Sequence, residues 1–229
     1  MPKQLATIVQ IRQETSSVKI LALKLSVPFD FKPGQFVMIT IPGYVDKTSK
    51  GLRRAYSIAS SPNAEFLELV IKINPAPSLS SEIDKLQISN LVEIDGPYGK
   101  FVLEKISSDV LFVAGGTGIA PLLSMILYCC HLQNRPLMQL LFGVKQVQDI
   151  IYRKELDALQ KQECLNVVYC LSQEKREGFV QGRVTSVLAQ YVKPSQDVYV
   201  CGSPEFVHDT ITVLESVGVL KERIHKEQW

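Results

Sequence analysis

Three short stretches of this sequence concentrate side chains that can do chemistry. In Leu52-Arg53-Arg54-Ala55-Tyr56-Ser57-Ile58 a cation, an aromatic ring and a hydroxyl lie close together. If the stretch is extended, residues 54, 56 and 58 share one face and Ser57 takes the other. In Gly115-Gly116-Thr117-Gly118-Ile119-Ala120-Pro121 the glycines follow a β-type run, Val110-Leu111-Phe112-Val113, and precede a helix-type run from Leu122. A strand, a glycine loop and a helix start can bind an anion, because unpaired N–H groups and the helix dipole both favour negative charge. Close packing at a tight turn would use the same glycines. In Val198-Tyr199-Val200-Cys201-Gly202-Ser203-Pro204 a strand ends and a helix opens. That sets Cys201 at the carboxyl end of a parallel strand, where doubly wound sheets bind ligands. By itself, such a cysteine reads more readily as a plain buried thiol.

The glycine loop departs from the standard dinucleotide fingerprint. Pro121 stands where the third small residue belongs, and no acid follows about 20 residues on to hold a ribose. It is not a P-loop either, since no Lys follows the glycines.

Two rhythms divide the chain that must position these residues. Residues 5–11, 19–25, 35–41, 66–73 and 91–95 are short, partly alternating runs separated by turn signals such as Pro33-Gly34, Ser61-Pro62-Asn63 and Gly96-Pro97. They predict a small antiparallel barrel or sandwich. Beyond about residue 106 strands at 110–114, 137–142, 166–171 and 197–201 alternate with helices at 120–132, 149–161, 183–190 and 204–217. That pattern predicts a parallel sheet with covering helices, the doubly wound class. The expected domains are 1–106 and 107–229, with the boundary near 104–108.

Composition excludes several classes. The chain is 46% hydrophobic and 21% charged, as in ordinary globular proteins. Its net charge of +2 divides into +3 for residues 1–106 and −1 for the rest, which gives no case for nucleic acid. The five cysteines lack CxxC spacing, against a disulfide framework, a zinc site or a cysteine-bound cluster. The N-terminal residues have neither the long apolar core nor the cleavage site of a signal peptide. A reducing, cytoplasmic compartment is expected. Residues 110–134 carry no formal charge if His131 is neutral, and form the one membrane candidate. Each glycine in a helix interior costs about 1 kcal/mol and proline about 3, so three glycines and Pro121 argue against a single spanning helix.

Taken together, Arg54-Ala55-Tyr56-Ser57, Gly115-Gly116-Thr117-Gly118-Ile119-Ala120-Pro121 and Cys201-Gly202-Ser203-Pro204 resemble the flavin, pyridine-nucleotide and nicotinamide-side motifs of the ferredoxin–NADP reductase superfamily. Pro33-Gly34-Gln35-Phe36, Gly96-Pro97-Tyr98-Gly99 and the closing Glu227-Gln228-Trp229 match in the same order, so the resemblance covers nearly the whole chain. It implies FAD in the barrel, with FMN as the alternative, and NADH or NADPH on the second domain. By resemblance Arg54 binds the flavin phosphate, Tyr56 lies against the isoalloxazine and Ser57 hydrogen-bonds near flavin N5; Ala55 and Ile71 fall among the flavin-contacting positions. Gly115, Gly116, Thr117, Gly118 and Pro121 form the nucleotide diphosphate site. Cys201 and Gly202 lie beside the nicotinamide, Ser172 reads the adenosine ribose, and Trp229 covers the flavin face. Ser57, Cys201, Glu227 and Trp229 are thus the candidate catalytic set. A solvated acid at Glu227 and edge packing at Trp229 are the plain alternatives.

One stretch departs from the family. Pro75-Ala76-Pro77-Ser78-Leu79-Ser80-Ser81 lacks the usual glycine before the phosphate-binding hydroxyl. Ser80 best matches that position, and a short helix from Ser80 or Ser81 would still present N–H groups. Gln173, Lys175 and Arg176 leave NADH against NADPH open. The implied activity is an FAD-dependent NAD(P)H reductase that passes electrons to a separate carrier, a ferredoxin or an oxygenase component. Lys47, Lys50, Arg53 and Arg54 are a weak candidate for docking an acidic carrier. A flavin reductase releasing reduced free flavin, and a non-catalytic flavoprotein subunit, are the alternatives.

Overall fold

The structure, a computed structural model, describes residues 3–44, 52–75, 77–103 and 109–229. The expected boundary at 104–108 lies outside the described residues, as do Lys47, Lys50 and Ala76.

Strands β1 (Gln4–Thr15), β2 (Val18–Leu25), β3 (Phe36–Thr40), β4 (Arg53–Ser57), β5 (Leu67–Lys72) and β6 (Leu91–Tyr98) form one antiparallel sheet. Its order is β4-β3-β6-β1-β2-β5. An antiparallel bridge from Ile58 to Leu69 joins the two edges and closes the sheet into a barrel. Closure removes edges that would otherwise invite aggregation. Alternation supplies the filling: Val37 and Ile39 of β3 are fully buried while Phe36, Met38 and Thr40 are not. The short helix α1 (Leu79–Ile83) adds Leu79 and Ile83 to the same core.

The second sheet takes strands β7 (Val110–Gly115), β8 (Met138–Val144), β9 (Asn166–Leu171), β10 (Val180–Gln181), β11 (Asp197–Gly202) and β12 (Ile224–Gln228). Their order is β10-β9-β8-β7-β11-β12, and every pairing is parallel. Helices α2 (Ile119–Cys130), α3 (Arg153–Lys161) and α4 (Pro204–Ser216) cover it. Strand β7 shows why residues 110–134 are so apolar. Val110, Phe112 and Ala114 pack into one core, Leu111 and Val113 into the core on the other face. A strand buried on both sides reads as a continuous hydrophobic run. Among the described residues no helix is long and apolar enough to cross a membrane.

Two expectations need correction. Residues 183–190 are not one helix but two single 3₁₀ turns, Val184–Ser186 and Leu188–Gln190. Val184 and Leu188 are both buried and mimic helical spacing, but Val187 between them, at φ −123° and ψ −10°, leaves the helical path. The helix expected from residue 149 begins only at Arg153, because Tyr152 adopts a left-handed backbone with φ 58°.

The domains share a core. Barrel residues Val18, Ile20, Ala59, Val70 and Phe101 are buried in one cluster with Leu122, Met125 and Ile126 of α2. Burying each large side chain stabilises by roughly 1.5–3 kcal/mol. The Pro33-Gly34 turn sits at this seam. At φ 98°, a β-carbon on Gly34 would lie 2.2 Å from the Phe101 carbonyl oxygen and 2.4 Å from the Met125 methyl. A buried hydrogen bond, Ser124 Oγ–H to the Ser60 carbonyl at 2.7 Å, adds direction to the contact.

Candidate active site

Chain order places β8 on one side of β7 and β11 on the other. Doubly wound sheets bind ligands at such a switch point, outside the carboxyl ends of the strands. A cleft of about 630 Å³ opens there. Gly115, Gly116 and Thr117 line it at the end of β7, Gly143 and Lys145 at the end of β8, Ser172 and Gln173 after β9, and Thr15, Ser17 and Lys72 face it from the barrel.

The two explanations of the glycine loop apply to different glycines. Gly116 has φ 54°, and an added β-carbon would meet nothing within 4 Å, so its backbone faces open space. Gly118 is buried, and an added β-carbon would lie 2.2 Å from the Cys201 carbonyl oxygen. Gly118 is therefore glycine because β11 passes over it. Gly115 and Gly202 both pack against the Phe206 ring, at 3.0 and 2.6 Å from such a carbon. Among the described residues no side chain caps the start of α2, and its first turn holds no acid. A helix start without a side-chain cap leaves N–H groups that can face an anion. Pro121 is the third residue of α2, where its missing N–H costs no hydrogen bond.

The last strand completes the arrangement. In β12 Glu227 lies opposite Cys201, and Gln228 opposite Gly202. Ser57, at the end of β4, donates its hydroxyl to Glu227 Oε2 at 3.4 Å. Burial pushes the Glu227 carboxyl up to about 7, opposed by the Ser57 hydrogen bond. Cys201 is fully buried. Burial first, then the Glu227 charge, drives its pKa far above the ordinary thiol value, against the hydrogen bonds of Trp229 and the Gly202 N–H. It is a neutral thiol at physiological pH and no nucleophile. Trp229, 51% exposed, lines the cleft with its side chain in hydrogen-bonding range of that sulfur. Ser57, Cys201, Glu227 and Trp229 thus meet at the seam, from a barrel strand and the two last strands of the sheet.

The barrel residues divide. Ile58 is buried in the barrel core and Tyr56 packs against it. Burial raises the Tyr56 phenol to about 12, the Arg54 charge opposing. Arg54 and Ala55 are exposed; Arg54 donates to the Arg53 carbonyl at 3.0 Å. Arg53 is ion-paired with Asp95, which weakens the proposed basic docking patch. The Ile71 side chain is wholly buried inside the barrel, so that residue has its backbone to offer a ligand. Ser80 Oγ accepts from the Asn74 N–H at 3.0 Å, and Ser81 Oγ donates to the Ser78 carbonyl at 2.8 Å. Both hydroxyls are engaged in shaping their own loop. Ser172 is exposed, donating to the Val144 carbonyl at 3.3 Å. Lys145, Thr15 and Lys72 were missed from sequence. Lys145 follows a strand end and was open to the same rule that singled out Cys201.

Comparison with known proteins fits this geometry. Residues 5–103 match the oxidoreductase FAD-binding domain and residues 112–211 the oxidoreductase NAD-binding domain. The chain belongs to the ferredoxin–NADP reductase superfamily. It is 33% identical over 195 residues to the electron transfer component of 2-halobenzoate 1,2-dioxygenase from Burkholderia cepacia, covering 82% of this chain and 55% of that one. The reductase component of propane 2-monooxygenase from Mycolicibacterium goodii is 29% identical, over 95% of this chain and 65% of its own. The chain thus spans between half and two thirds of the length of these relatives. A solved ferredoxin NADP+ reductase from Neisseria gonorrhoeae, with bound FAD and NADP, shares the fold at a TM-score of 0.86 and 21% identity, over 100% of this chain and 99% of that one.

Proposed function

We propose that this chain takes hydride from NADH or NADPH onto FAD held by the barrel and passes electrons to a separate acceptor, a ferredoxin or an oxygenase component. The observation that carries the reading is the meeting of Ser57, Cys201, Glu227 and Trp229 where the FAD-binding and NAD-binding domains touch. When bound, nicotinamide supplies two electrons as hydride and flavin can release them singly. The protein's share is orientation and exclusion of water. Arg54 holds the flavin phosphate, Ala55 and Tyr56 support the ring system, and Ser57 offers its hydroxyl at the reacting edge. Gly116 and Thr117 present N–H groups to the nucleotide diphosphate, and Ser172 lies where the adenosine ribose is read. Cys201 gives the nicotinamide a neutral, polarisable wall, while Glu227, titrating near 7, holds a proton beside Ser57. Trp229 occupies the nicotinamide position and moves aside. The domains divide near residue 106 in this reading, and the five cysteines without CxxC spacing support a cytoplasmic location.

The relatives support this choice of acceptor, since they include the electron transfer component of a dioxygenase and the reductase component of a monooxygenase. One observation favours a second reading, reduction of free flavin. Ser80 and Ser81 are engaged within their own loop, which leaves less grip on a flavin phosphate.

The test is the visible spectrum of the purified protein, followed anaerobically as NADH, then NADPH, then an oxidised ferredoxin are added. Bound flavin that bleaches and is reoxidised by the ferredoxin supports the reductase. A colourless protein that oxidises NAD(P)H once free flavin is supplied moves the assignment to the flavin reductase. Bound flavin that neither nucleotide reduces refutes both.

A further inference from the structure

Away from Cys201 and Glu227, a second set of polar groups crosses the seam between the domains. Tyr152 is 1% exposed and has a left-handed backbone, rare for a bulky residue. Its hydroxyl donates to Glu68 Oε2 of β5 at 2.9 Å, and its N–H to Glu14 Oε1 of β1 at 2.6 Å. The Arg12 guanidinium lies 5.3 Å from the centre of its ring, within cation–π range. Arg12 also reaches Glu14 at 3.0 Å on its own strand and Glu155 at 2.5 Å on α3. Burial, then Glu68, holds the phenol well above its ordinary pKa, so it stays an O–H donor.

We infer that Tyr152 is a positioning residue, which with Arg12, Glu14 and Glu68 fixes the orientation of the nucleotide-binding domain on the barrel. Apolar burial across the seam is non-directional and holds the domains together without choosing an angle. Hydrogen bonds from one tyrosine to two different barrel strands do choose one. The location matters as well. Lys145, Asp149 and Ile151 line the nucleotide cleft in the segment that ends at Tyr152, and Thr15, next to Glu14, lines it from the barrel. The lock therefore stands where the cleft wall meets the domain that carries Arg54 and Ser57. A backbone outlier held by such surroundings marks a place where geometry is imposed.

This inference rests on the reductase reading for its kinetic consequence but not for its structural one. Tyr152→Phe removes the hydroxyl alone. Tyr152→Phe/Glu68→Leu also removes the stranded carboxylate, as a second variant should the first fold poorly. Both are expected to bleach flavin about tenfold more slowly at saturating nucleotide, since a misplacement near 1 Å can cost up to about a hundredfold. The flavin spectrum and the nucleotide concentration for half-maximal rate stay unchanged, and amide hydrogen exchange across 145–151 quickens. A variant that melts earlier with exchange and bleaching both unaltered makes the contact adhesive only and overturns the inference. If wild-type flavin is not bleached at all, the reductase reading falls, while exchange at 145–151 still tests the lock.

Discussion

The contrast between Gly116 and Gly118 can be worked through. A β-carbon on Gly118 would lie 2.2 Å from the Cys201 oxygen, 2.5 Å from its carbonyl carbon and 2.8 Å from the Gly202 nitrogen. All three atoms belong to the backbone of β11, paired to β7 on one side and β12 on the other, so none can yield alone. Overpacking of this kind costs about 1–3 kcal/mol or more. At roughly 2–4 °C per kcal/mol for a chain of this size, Gly118→Ala should lower the melting temperature by about 2–12 °C. It should also displace Cys201 from Glu227. Gly116→Ala meets no atom, and its cost is the left-handed backbone alone, about 1–2 kcal/mol for an ordinary L-residue. Asparagine tolerates that conformation. Gly116→Asn should therefore recover most of the stability lost in Gly116→Ala while still weakening nucleotide binding, because a side chain would now enter the proposed anion site. Gly118→Asn should recover nothing. Thermal melts and nucleotide titrations of the four variants decide the matter. Rescue at 118 as complete as at 116 would refute the assignment of one glycine to strand packing and the other to the ligand.

Two further outcomes are expected. With the Glu227 carboxyl raised from 4.5 to about 7 by burial, its contribution to stability is greatest below pH 4.5 and is lost as pH rises through 7. Urea midpoints of the wild type should thus fall between pH 5 and pH 8 by the equivalent of about 1–3 kcal/mol relative to Glu227→Gln; parallel curves would show that the site titrates elsewhere. Cys201→Ala should slow flavin bleaching by NAD(P)H at a stability cost of about 1 kcal/mol, with the flavin spectrum intact, and rates equal to the wild type would remove its role at the nicotinamide.

What the sequence revealed depended on whether a residue's neighbours lay nearby in the chain. The alternation in β3 and the apolar run of β7 are local consequences of one-sided and two-sided burial, and both were legible. So were the three motifs, because strand ends and helix starts impose their residue types over a few positions. Strand β12 was not legible as a strand. Ile224-His225-Lys226-Glu227-Gln228 is a polar edge strand with no apolar alternation, and its signal is the partner it pairs with. Residues 183–190 misled for the opposite reason: burial at helical spacing was present, but short turns satisfied it. Ser80 matched a hydroxyl position by resemblance alone, and only the loop's own hydrogen bonds reveal that its hydroxyl and that of Ser81 are engaged.

Arg12, Glu14, Glu68 and Tyr152 left no trace in the sequence for a related reason. Arg12 and Glu14 lie just past the run 5–11, Glu68 sits inside the run 66–73, and Tyr152 falls within the helix expected at 149–161, so none of them stands out by type or spacing. Their chemistry exists only once two domains face each other. That asymmetry follows from the division of labour in the fold. Cofactor-holding groups must match a fixed ligand, so their types and spacing are constrained along the chain. Groups that set the angle between domains need only match each other, and many pairings of donor and acceptor would serve. A motif can therefore announce which cofactors meet in such a molecule, whereas the geometry at which they meet is written in contacts such as Tyr152 to Glu68, 84 residues apart.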